Sequence, residues 1–135
     1  MVKRALVIVL AAALVAPAGA YAGAVNLRVN ADTGPGTKVR QATLTCDSDG
    51  PRATGFLRGR DAAELCRRAY ALERFLGRGP EPGRQCTQQY GGPERALVRG
   101  NVRGTAVKRR FKRTDGCEIA DWRRARLLLP RPASG

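Results

Sequence analysis

Residues 24 to 29, Ala-Val-Asn-Leu-Arg-Val, alternate apolar with polar, as a strand with one wet face does, and Asp32 to Gly36 then breaks the pattern. Val39 to Cys46 reads as a second strand. From Asp47 to Gly59 the chain is polar and turn-rich, which reads as an exposed loop. The period then changes. Asp61 and Glu64 have the spacing of a capping box, and Leu65, Ala69, Leu72 and Leu76, with Cys66 and Phe75 beside them, recur every three to four residues. This predicts one amphipathic helix to about Leu76, with Gly77 as its stop.

Gly79 to Tyr90 carries two prolines and two glycines and reads as a long exposed loop. After Gly91-Gly92-Pro93, residues 94–102 and 105–113 form two strand-like runs around Arg103-Gly104, the pattern of an antiparallel hairpin. Thr114-Asp115-Gly116 turns the chain into Cys117, and Arg126 to Leu129 is expected to close the sheet as a last strand. The sum is an α+β domain. An antiparallel sheet of about five strands carries one main helix, and a short second one, on one face.

The amino-terminal segment has a different character. Lys3 and Arg4 precede an unbroken apolar run from Ala5 to Ala16, and Ala18-Gly19-Ala20 offers a small-x-small cleavage site. Twelve apolar residues fall short of the roughly 20 that span a bilayer as a helix. Residues 1–22 are therefore expected to be a signal peptide, cut after Ala20 or Ala22, and residues 23–135 to form one secreted domain with no membrane attachment. Losing Lys3 and Arg4 takes only two charges from the formal +14, so the mature protein stays strongly basic. Such a charge steers a protein toward acidic partners or holds it at an anionic surface.

Export changes how the four cysteines are read. Cys46, Cys66, Cys86 and Cys117 lack the close pairs of a zinc site, and an oxidising compartment favours disulfides. Three pairings are open and spacing alone does not choose among them; the expectation is sequential pairing, Cys46 with Cys66 and Cys86 with Cys117.

The chemistry available is narrow. With no histidine, a Ser-His-Asp triad, a Cys-His pair and a mixed Cys/His metal site are all excluded within the chain. Glu73 with Glu81, or Asp115 with Glu118 and Asp121, are the carboxylate groupings an enzyme would need, and caps, turns or ion pairs explain each as well. The expectation is a protein that is not an enzyme and needs neither metal nor cofactor. Lys108, Arg109, Arg110, Lys112 and Arg113 form the densest basic cluster and suggest weak polyanion binding. A strand would split these residues between its two faces, and Phe111 alone gives no stacking platform.

The loop around Arg84-Gln-Cys-Thr-Gln-Gln-Tyr90 is exposed yet tied down by a cysteine. A loop held extended by its scaffold enters a protease cleft at little cost in ordering entropy. Arg84-Gln85 is the bond a trypsin-like enzyme would cut, and the paired glutamines would also suit a transglutaminase.

Several of these residues resemble the Streptomyces subtilisin inhibitor family of secreted serine-protease inhibitors. The resemblance lies in the leader, Thr43-Leu44-Thr45-Cys46 at a strand end, Cys66 in a helix, and Cys86-Thr87-Gln88-Gln89-Tyr90. It continues through Pro93, the hairpin at Gly104 and Thr114-Asp115-Gly116-Cys117-Glu118-Ile119, and covers roughly residues 24–129. It implies an α+β sandwich, a homodimer through the sheet, and disulfides Cys46–Cys66 and Cys86–Cys117. It also implies a reactive loop with Gln85 as P4, Cys86 as P3, Thr87 as P2, Gln88 as P1, Gln89 as P1′ and Tyr90 as P2′, and Gln88-Gln89 as the scissile bond. A broad-specificity subtilisin-like protease is the implied target.

The chain departs from the family where P1 and P1′ are both glutamine, where Asp115 replaces a loop-supporting asparagine, and where Val102 lies near the family's hairpin tryptophan. The alternative reading is a basic secreted protein that binds polyanions or the cell surface on a scaffold of this kind that has lost inhibition.

Overall fold

The computed structural model describes residues 24–133, and the expected leader, with both cleavage positions, lies outside them. Strand β1 (Val25–Asp32) follows the alternation closely: Val25, Leu27, Val29 and Ala31 are buried, while Asn26 and Arg28 are exposed. Strand β2 (Arg40–Asp47) buries Ala42, Leu44 and Cys46 in the same way. A two-residue turn at Ser48-Asp49 then folds the chain back into β3 (Gly50–Ala53), where an open loop was expected. Nothing in Gly-Pro-Arg-Ala alternates, so β3 is a strand because the edge of β2 supplies its pairing.

A 3-10 turn at Gly55–Leu57 follows and buries Leu57. Gly55 has φ +61°, and a Cβ there would stand 1.9 Å from the Gln41 carbonyl oxygen, so the turn closes on β2 only with glycine.

The helical region starts as the capping box predicts, with the Asp61 side chain accepting the Glu64 N–H at 3.1 Å. It is not one helix. α1 (Ala62–Ala71) ends at Leu72, and α2 (Glu73–Arg78) continues after that single irregular residue. Gly77 lies inside α2 and does not stop it. A Cβ there would meet the Thr105 methyl at 2.7 Å, so this glycine lets the helix approach the hairpin, and Gly79, at φ +72°, ends the helix.

β4 (Arg95–Val102) and β5 (Thr105–Phe111) form the expected hairpin, turning through Arg103 and Gly104, both at positive φ. α3 (Gly116–Arg124) follows, capped by Asp115. The sheet is antiparallel throughout, in the order β3-β2-β1-β4-β5, and the three helices share its inner face.

The expected last strand at residues 126–129 is absent. Leu128 and Leu129 are buried in a turn after α3, and Arg60 donates to the carbonyls of Leu127 and Leu129 at 2.7 and 3.0 Å. Three consecutive leucines have no polar face to show solvent at a sheet edge. Burying Leu128 and Leu129 is worth roughly 2 kcal/mol apiece, so the run plugs the end of the core instead. Val102, near the expected tryptophan position, is fully buried there as well.

The disulfides are Cys46–Cys66, joining β2 to α1, and Cys86–Cys117, joining the long loop to α3. No helix among the described residues is long and apolar enough to cross a membrane.

Candidate protease-binding loop

Residues 84–92 run without helix or strand between α2 and β4, and Gln85 to Tyr90 are all exposed, Tyr90 at 64%. The fold grips this stretch at both ends. On the amino-terminal side Arg84 places its two terminal nitrogens on the two carboxylate oxygens of Asp121, at 3.1 and 2.9 Å. Cys86 is bonded to Cys117. The Gly116 N–H then donates to the Thr87 carbonyl at 3.0 Å. A Cβ on Gly116 would lie 2.1 Å from the Thr87 hydroxyl oxygen, so the first turn of α3 sits directly against the loop and needs glycine there.

On the far side the Gly91 N–H donates to the Arg113 carbonyl at 2.7 Å. Gly92, at φ +139°, rests on the buried ion pair between Glu94 and Arg113, which meet at 2.8 Å. Between these two attachments, among the described residues, Gln88, Gln89 and Tyr90 make no hydrogen bond to the rest of the protein. The span without an internal hydrogen bond is thus three residues long, centred on Gln89.

Asp121 is the junction of this arrangement. It also accepts a hydrogen bond at 2.9 Å from Arg109, whose side chain is 3% exposed. Position 109 lies on the inner face of β5 between Val107 and Phe111. The Arg109 guanidinium stacks 3.8 Å over the Phe75 ring and also donates to the Phe75 carbonyl, which gives a buried cation its partners. The chain Arg109–Asp121–Arg84 therefore carries rigidity from the core to the residue preceding Gln85.

The electrostatics follow from this placement. Hydrogen bonding to Asp121 holds Arg84 above its ordinary pKa, whereas burial pulls Arg109 below its own. Burial alone would push the Glu94 carboxyl up, but hydrogen bonds from its own backbone N–H, from Arg113 and from Ala133 outweigh it and leave the group below the usual range.

The expected loop support at Asp115 is placed differently. Its carboxylate accepts the Glu118 N–H at 2.8 Å and caps α3, while Glu118 reaches back to Thr114. The carboxylate that touches the loop is Asp121, 37 residues along the chain from Arg84. The basic cluster divides as a strand requires: Lys108, Arg110 and Lys112 are exposed, Arg109 is buried, and Arg113 pairs with Glu94.

Glu73 is bound to Thr105 and Arg103 at the hairpin. Cys86, Asp115 and Cys117 are the only close group of metal-ligand types among the described residues, and the two sulfurs are a disulfide with no thiolate to offer. No protein-family model and no curated protein sequence matches this chain.

Proposed function

We propose that this protein is a secreted inhibitor of subtilisin-like serine proteases, presenting Gln88-Gln89 to the active site as a substrate would. The observation that carries the reading is the two-sided grip on an exposed loop that has neither helix nor strand. The Gly116–Thr87 hydrogen bond ends one residue before Gln88, and the Gly91–Arg113 hydrogen bond begins two residues after Gln89. The resemblance in residues 86–90 and 114–119 assigns the same register.

An extended segment of this kind adds its main chain to the edge of the protease's own substrate-binding strand, and the side chain before the scissile bond enters the specificity pocket. Ordering a residue's backbone costs roughly 1 to 2 kcal/mol, so a loop already held at Arg84, Cys86, Thr87 and Gly91 gives up less on binding than a free peptide does. On the chain-entropy model, closing the 31-residue loop between Cys86 and Cys117 restricts the unfolded chain by roughly 3 to 4 kcal/mol. If the protease cuts Gln88-Gln89, the new carboxyl end stays attached through Thr87 and Cys86 and the new amino end through Gly91. Neither product diffuses away, and the bond can re-form.

Gln88 has neither the charge for an acidic specificity pocket nor much apolar surface for a greasy one, which favours a broad-specificity subtilisin-like enzyme. The test is a titration of subtilisin with the oxidised protein. Stoichiometric loss of activity with slow cleavage before Gln89 is expected, and rapid digestion without inhibition would refute the proposal.

A further inference from the structure

The helices cover one face of the sheet, and the other face carries a pattern that inhibition does not use. Strand alternation puts Asn26, Arg28 and Asn30 of β1, Arg95, Leu97, Arg99 and Asn101 of β4, and Lys108 and Arg110 of β5 on the outer face. The register sets Arg28 directly opposite Arg99, and Arg99 directly opposite Lys108. Arg110 faces Leu97 in the next row. With strands about 4.8 Å apart, three cations stand in one line across roughly 10 Å.

Like charges directly opposite one another destabilise a sheet. Here nothing relieves them. The acids on this face are Asp32, paired with Arg95, and Asp47, paired with Arg52. Arg28, Arg99, Lys108 and Arg110 form no ion pair among the described residues.

We infer that this outer sheet face binds a linear phosphate polymer, held by Arg28, Arg99, Lys108 and Arg110. Charge complementarity selects an anion, and a line of cations at strand spacing fits a chain of charges better than a single ion. Three of the four are arginines, whose planar guanidinium matches phosphate oxygens two at a time. The face carries no aromatic side chain, so recognition runs through the backbone charges and not through stacked bases. The buried Arg109 and the paired Arg113, the inward-placed members of the basic cluster, take no part. A second copy of the chain laid on this face, as the family resemblance implies for a dimer, would set these cations against cations.

The inference is independent of the inhibitory reading, and the test keeps the two apart. The probe is long-chain inorganic polyphosphate, with binding measured between 50 and 200 mM salt. Four phosphate contacts predict an affinity falling on the order of 50-fold across that range.

The variant Arg28→Gln/Arg99→Gln/Lys108→Gln/Arg110→Gln should lose most of that affinity and its salt dependence, yet inhibit subtilisin as the unaltered protein does. Because it removes repulsion, its thermal midpoint should not fall. A control of equal charge change on the other side of the molecule, Arg58→Gln/Arg74→Gln/Arg78→Gln/Arg123→Gln, should bind within about threefold of the unaltered protein. Equal losses in both variants would overturn the inference, since net charge alone would then explain binding. A dimer that binds no polyphosphate, or equal affinity for a sulfated glycan, would overturn it as well.

Discussion

Substituting Asp121 by asparagine removes the charge shared by Arg109 and Arg84 while keeping an acceptor oxygen in place. Arg109 is 3% exposed and Asp121 14%, so the variant leaves a buried guanidinium without its counter-charge. Breaking a buried pair from one side costs about 3 to 5 kcal/mol. Arg109 keeps the Phe75 carbonyl and the Phe75 ring, which places the cost near the lower end, about 3 kcal/mol. For a domain of this size that lowers the thermal midpoint by roughly 12 °C.

Arg84→Gln removes the other arm. Its side chain is 27% exposed, so the stability lost should be about 1 kcal/mol or less. The effect on inhibition should be larger, because the approach to Gln85 is freed and the ordering of about one residue must now be met on binding, roughly tenfold in affinity. The assay pairs thermal unfolding of the oxidised proteins with subtilisin inhibition and the rate of cleavage before Gln89. If the core reaches the loop through Arg84, the double variant should inhibit no worse than Asp121→Asn alone. An Arg84→Gln protein that inhibits as tightly, and is cleaved as slowly, as the unaltered one would refute the clamp.

Gln88→Lys should shift inhibition toward trypsin-like enzymes, whose specificity pocket is acidic, and unchanged selectivity measured against trypsin and subtilisin would refute the register. Native oxidised protein should resist trypsin at Arg84-Gln85, because the Arg84 side chain is held by Asp121, and peptide mapping should find that cut only after reduction; rapid cutting of the oxidised form would contradict the geometry. Glu94 lies below its ordinary value of 4.5, so the unfolded chain takes up its proton more readily than the folded one. Its contribution is complete above about pH 4.5 and is lost as pH falls through the depressed native value. Glu94→Gln should therefore lower stability at pH 7 and flatten the acid limb of the stability profile, and an acid limb as steep as before would count against this assignment.

How much of this is legible in the sequence depends on how local the cause is. β1, β2 and the hairpin strands announce themselves by alternation, and α1 by its capping box. β3 does not, because Gly-Pro-Arg-Ala owes its conformation to the neighbouring strand. Gly77 looks like a helix stop until the Thr105 methyl beside it is seen. The leucines at 127–129 read as a strand although they lack the alternation of an edge strand, and their place as a plug appears only once Leu128 and Leu129 are seen buried under Arg60.

The loop itself is legible from its prolines, glycines and cysteine. Its support is not. Asp115 stands two residues before Cys117 in sequence and caps a helix, whereas Asp121, a helix residue with no local mark, meets Arg84 across 37 positions. Arg109 had a signal, since its strand parity points inward, but a charged residue in a basic run reads as solvated.

The most direct measurement of the central claim is the titration of subtilisin with the purified, oxidised protein, with the amino termini sequenced as activity falls. The account predicts loss of activity at a one-to-one ratio and one slowly appearing new terminus at Gln89. Full subtilisin activity alongside rapid fragmentation of the loop would contradict it.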